Sequence, residues 1–141
     1  MMIPAALADL MITLEATLTA SIDNTLSDLE RGSNILLTSA SVLSTTTKQA
    51  ERAASALNVV RYALGRSDRR LQSLKLLFSA STHYMQDLRG LALDQSAVQI
   101  LRALNDNMRS DVDQLLLQVQ NNNVRVQTQQ QLVSPYTTRE S

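Results

Sequence analysis

The sequence predicts an all-α fold, a long helical hairpin or coiled-coil-like bundle, on three observations. Leu, Ala, Ser, Thr and Gln abound, while 141 residues include only three glycines, two prolines, one phenylalanine and no tryptophan. Aromatic and β-branched runs closed by Gly/Pro turns, the mark of sheets, are therefore missing. Apolar or small residues recur at steps of three and four along most of the chain, the period of one helix face. The three glycines stand where such a pattern can end or reverse. The length is that of about one domain, read as a single helical domain over 1–127 followed by a polar, flexible tail over 128–141.

The first helix is expected over 5–64. Pro4 suits a first turn, and the seam runs Leu7, Met11, Leu14, Leu18, Ile22, Leu26, Leu29, Ser33, Leu36, Ala40, Leu43, Thr47, Ala50, Ala54, Leu57, Arg61 and Leu64. A 4-4-3 passage at Leu18, Ile22, Leu26 and Leu29 reads as a stutter. The Ser/Thr-rich stretch Leu36 to Leu57 has linker composition, yet it keeps the period and is read as mid-helix. A reversal is placed at Gly65–Ser67, with Gly65 ending one helix and Ser67 capping the next. The second helix, over 68–89, carries Leu71, Leu74, Phe78, Ser81, Met85 and Leu88. Leu93 and Val98 flank Asp94 as a hydrophobic staple, so the third helix begins at 95 and runs to 126 through Ala97, Leu101, Leu104, Met108, Val112, Leu115, Val119, Asn122 and Val126. Pro135 is expected to stop any helix beyond. The alternative is an up-down four-helix bundle with turns at Gly32, Gly65 and Gly90.

Charged residues make up 18% of the chain and favourable Glu-to-Lys pairs at four-residue spacing are nearly absent. The outer faces are Ser, Thr, Asn and Gln instead, and a narrow two-stranded seam buries too little to offset chain entropy. Small seam residues at Ala40, Thr47, Ala50 and Ala54 admit a close neighbour. Other helices, from the same chain or from helical partner subunits in a homo- or hetero-oligomer, are expected to cover this surface. The interaction seam is centred on Leu14, Leu18, Ile22, Leu29, Leu36, Ala40, Leu43, Ala50, Ala54, Leu57, Leu101, Leu104, Met108 and Leu115.

The formal net charge is zero, which leaves no basic excess to displace counterions, so no nucleic-acid partner is expected. The zero conceals a division: residues 1–30 carry Asp9, Glu15, Asp23, Asp28 and Glu30 with no Lys or Arg, whereas Arg61, Arg66, Arg69, Arg70 and Lys75 crowd the middle. In a hairpin these cations form a basic tip, a patch suited to an acidic protein surface or an anionic membrane. There is no cysteine, hence neither a disulfide framework nor a thiolate metal site. No apolar run reaches transmembrane length, and the opening lacks the basic region of a signal peptide; the expected location is cytoplasmic or nuclear.

Little in the sequence points to catalysis. His83 is the only histidine; Asp87 lies one turn on, but no third ligand accompanies them for a zinc site. Phosphate loops, His-Glu-x-x-His pairs and nucleophile elbows are absent, so no enzyme activity, cofactor or metal is expected. Ser134-Pro135 is a proline-directed phosphorylation dipeptide. The eight residues Thr25 to Gly32, TLSDLERG, resemble a fragment of the SNARE motif of Golgi Qb SNAREs, without a glutamine layer that can be placed on the seam. In size, cysteine-free composition and weakly charged seams the chain is similar to small helical subunits of multiprotein assemblies, such as the fungal DASH kinetochore ring or lysosome-positioning complexes. That resemblance implies a non-enzymatic structural subunit of cytoskeletal, kinetochore or membrane-tethering type. The alternatives are a self-contained four-helix adaptor binding a peptide or acidic surface, and a viral or secretion-apparatus helical component.

Overall fold

Helix-forming residues with few breakers give three helices: α1 (Met2–Thr38), α2 (Leu43–Asp87) and α3 (Gln95–Thr137). The computed structural model describes residues 2–38, 43–87 and 95–137, with side chains over 6–32, 48–83 and 96–137, and no strand occurs among the described residues. At 37, 45 and 43 residues, the helices are each about 55–70 Å long at a rise of 1.5 Å per residue. Several hydroxyls on these helices donate back to the carbonyl one turn earlier: Thr19 to Glu15 at 2.7 Å, Thr82 to Phe78 at 2.9 Å, Ser73 to Arg69 and Thr128 to Val124 at 3.0 Å. A Ser or Thr bonded this way needs no other partner and can face either solvent or a neighbouring helix.

Three contacts fix the direction of α3 against α2. Gln130 donates to Asn58 at 3.3 Å, Lys75 lies 3.3 Å from Asp113, and the Asn105 amide donates to the Thr82 hydroxyl at 3.0 Å. Partner numbers fall on α3 as they rise on α2, so the pair is antiparallel. Glu15 of α1 meets Arg70 of α2, near the level of Asp113, and Asp23 and Glu30 meet Arg125 further along α3. The three helices thus run up, down, up, with α1 parallel to α3, and the most extensive packing lies between α2 and α3.

One apolar core joins all three helices. The buried positions on α2 are Ala50, Leu57, Val60, Leu64, Ser67, Leu71, Leu74 and Phe78; on α3 they are Asn105, Met108, Val112, Leu115, Leu116, Val119, Asn122, Val126, Gln129 and Val133. Their three-four spacing keeps each row on one side of its helix. On α1 the buried line is Ala8, Ile12, Glu15, Thr19 and Leu26.

The break points differ from those the sequence predicts. The helix expected over 5–64 is two helices, and the reversal expected at Gly65–Ser67 does not exist: α2 runs through both residues. Leu64, Ser67 and Leu71 are all essentially fully buried, so Ser67 is a core residue rather than a cap. A glycine inside a helix costs about 1 kcal/mol against alanine, whereas burying each flanking leucine contributes about 1.5–3 kcal/mol. The unbroken apolar row therefore outweighs the glycine. Gly32 likewise lies inside α1, so neither the two-armed hairpin nor the four-helix bundle forms; Gly90 lies outside the described residues. The helix expected to end near 126 continues to Thr137 with Pro135 inside it. Proline there sacrifices one hydrogen bond close to the helix end, while buried Val133 and the core contact of Tyr136 hold the last turn.

Candidate interaction face

The charge division of the sequence becomes a set of bonds between helices. Arg125 of α3 reaches Asp23 and Glu30 of α1, donates to the Ser27 hydroxyl at 3.1 Å, and is steadied by Asn122 Oδ1 at 3.0 Å. Its pKa is raised above the ordinary guanidinium value, chiefly by the hydrogen bond to Glu30, with partial burial opposing and Asp23 adding to the rise. Glu15, whose side chain is only 5% exposed, accepts from Arg70 Nε, and Arg70 also donates to Ser67 Oγ at 3.2 Å. A carboxylate so buried would carry a desolvation cost of several kcal/mol without that partner. Asp28 is satisfied within its own helix by Arg31. The acidic α1 is thus clasped to its two neighbours through one arginine on each.

The basic cluster is not a tip, because α2 has no reversal there; it occupies the middle of a continuous helix. Two of its members are used inside the molecule, Arg70 on Glu15 and Lys75 on Asp113. Arg61, Arg66 and Arg69 are exposed and have no ion pair among the described residues. Arg66 lies over the Tyr62 ring at 5.9 Å, and Arg69 Nε donates to the Gly65 carbonyl at 3.3 Å.

The seam residues divide into two sets. Ala50, Leu57, Met108 and Leu115 are in the core, with Ile22, Leu29 and Ala54 packed against it. Leu14 and Leu18 are half exposed on α1, and Leu101 and Leu104 are exposed near the start of α3. Ala40 and the side chains of Leu36 and Leu43 lie outside the described residues. On α1 the buried line is one residue out of step with the expected seam: Ala8, Ile12, Glu15 and Thr19 face inward, while Leu7, Leu10, Leu14 and Leu18 remain 45–55% exposed. On α2 Val60 takes the inward place expected of Arg61.

Helix geometry locates this leucine row. Asp23 and Glu30, which bond Arg125, mark the flank of α1 that faces α3, as do Ala16 and Ala20 in the groove between the two helices. At 3.6 residues per turn, Leu7, Leu14 and Leu18 fall about half a turn from those positions, on the α2 side. On α2, Arg66, Ser73 and Leu77 share the face of Arg70 at four- and three-residue steps, and Leu77 is also half exposed. The Glu15–Arg70 bond sets the two rows side by side.

Chemistry is poorly supported elsewhere. The α1–α3 groove, about 580 Å³, is lined by Ala16, Thr19, Ala20, Asp23, Leu115, Gln118, Asn121, Asn122 and Arg125, and its charged groups are already bonded to each other. His83 is exposed, the Asp87 side chain lies outside the described residues, and no group of three metal-ligating side chains occurs among the described residues. No described helix is long and apolar enough to cross a membrane. Sequence reasoning missed the buried Glu15, Thr19, Ser67, Asn105 and Gln129. Their signal was phase: Glu15, Ser67, Asn105 and Gln129 each stand three or four residues from a buried apolar neighbour, and Thr19 stands three from the partly buried Ile22. No family model, curated protein or solved structure matches the chain.

Proposed function

We propose that this chain is a non-enzymatic structural subunit that contributes its helices to a larger helical-bundle assembly, acting by helix–helix protein interaction in cytoskeletal, kinetochore or membrane-tethering machinery. The observation that supports it is the leucine row Leu7, Leu10, Leu14 and Leu18, left half exposed on α1 although that helix is already docked. Scattered exposed leucines are ordinary, but a contiguous row at helical spacing matches a helix-in-groove contact. A self-contained helical adaptor for a peptide or acidic surface is the second reading, favoured by the closed α2–α3 core.

The test compares the wild-type chain with a Leu10→Ser/Leu14→Ser variant. Both substitutions fall on exposed positions, so helicity and melting are expected to hold. The subunit reading expects the wild type to associate, in sedimentation or with helical partner subunits, and the variant to lose that association. A chain that stays monomeric, with binding partners identical for both forms, would count against it.

A further inference from the structure

We infer that the face shared by α1 and α2 docks a partner helix of defined chemistry: amphipathic, with an apolar row for Leu7, Leu14, Leu18 and Leu77 and carboxylates at the level of Arg66. The inference rests on the subunit reading above and specifies the partner.

Two observations select this occupant. The exposed leucines follow the three-four rhythm of a helix over more than two turns of α1, which a parallel or antiparallel helix matches and an extended chain, with its period of two, does not. Arg66 stands on the same face without a carboxylate partner among the described residues, one turn from Arg70, whose charge Glu15 already answers. An apolar strip beside an unanswered cation is complementary to an apolar strip beside an anion.

Other occupants fit less well. A second copy docked through this same face would bring Glu15, held by Arg70, and Asp28, held by Arg31, rather than a carboxylate free for Arg66. An anionic lipid surface would meet residues 1–30, which carry no Lys or Arg and whose Asp9 has no ion pair among the described residues. Like charge there opposes membrane approach at the very residues whose leucines would insert.

The test is a titration of the full chain against a fluorescent synthetic helix with a leucine row flanked by glutamates, with a matched helix carrying lysines in their place. The glutamate helix is expected to bind about tenfold more tightly than the lysine helix and to weaken as salt rises. Arg66→Glu is expected to reverse that preference, and Leu14→Ser to weaken both helices. Circular dichroism checks that each variant keeps its fold, and Leu18→Ser serves as the second apolar variant. Equal binding of the two helices, no binding of either, or a preference unchanged by Arg66→Glu overturns the inference. So does a dimer of the chain alone that Leu14→Ser dissociates, although that outcome leaves the subunit reading standing. A monomer that binds neither helix and loses no partner in the Leu10→Ser/Leu14→Ser variant overturns both.

Discussion

The α2–α3 pair and α1 are held by different chemistry. Between α2 and α3 the contact is a mainly apolar seam whose buried polar residues are Ser67, Asn105, Asn122 and Gln129, with the Asn105 amide donating to the Thr82 hydroxyl. The buried line of α1 places Glu15 and Thr19 in its middle, closes on its neighbours through Arg70 and Arg125, and leaves Leu7, Leu10, Leu14 and Leu18 half exposed. The lesson is that the more apolar side of a helix need not be the side that goes in. Three carboxylates committed to two arginines, and the small Ala8 that admits close approach, turn the first half of α1 one residue away from its leucine seam.

The comparison can be broken at its strongest point first. Leu64→Ala empties a fully buried position of α2 and is expected to cost about 2–5 kcal/mol, read as an earlier midpoint in urea with all three helices lost together. Arg70→Ala leaves Glu15 buried without its cation. Its expected cost is about 2–3 kcal/mol, below that of a fully enclosed pair because Arg70 is partly exposed. The double replacement Glu15→Leu/Arg70→Leu is expected to recover most of that loss, since an apolar pair needs no compensation.

Arg125→Ala acts more gently, at about 1–2 kcal/mol, because its carboxylate partners remain reachable by water. Since the pKa of Arg125 is raised on folding, its contribution is fully present below the ordinary guanidinium range and is lost only as pH climbs through the raised value. A stability titration in the alkaline range below that point is therefore expected to show no loss from this clasp. The smallest effect has the opposite sign. Gly65→Ala meets nothing within 4 Å in a helix without a positive φ, so it is expected to stabilise by about 0.5–1 kcal/mol. Were Gly65 the left-handed end of a helix, the same change would destabilise.

The helical class and the row from Met108 to Val126 were legible because the three-four spacing there is unbroken and apolar except at Asn122. α3 is described from Gln95, where the third helix is expected to begin, while Leu93 and Asp94 lie outside the described residues. Gly65 misled, since the period continues across it through Ser67, a residue type read as a cap because nothing local distinguishes a core serine from one. Pro135 misled in the same way: its cost falls on a single turn, and Val133 and Tyr136 lie beyond the point where the apolar signal looked exhausted. On α1 two parallel rows, one residue apart, were both helical in period. Choosing between them depended on Arg70 and Arg125, which lie far away in sequence, and no local pattern carries that information.

Native-state hydrogen exchange on the full chain tests most directly the claim that α1 is a separately held element. Under mild denaturant the amides of α1 around Ile12 to Leu26 are expected to exchange through an opening of lower free energy than those of α2 around Leu57 to Leu74 and α3 around Val112 to Val126. Arg125→Ala is expected to lower the α1 value alone. A single opening free energy shared by all three helices, shifting together in Arg125→Ala, would contradict it.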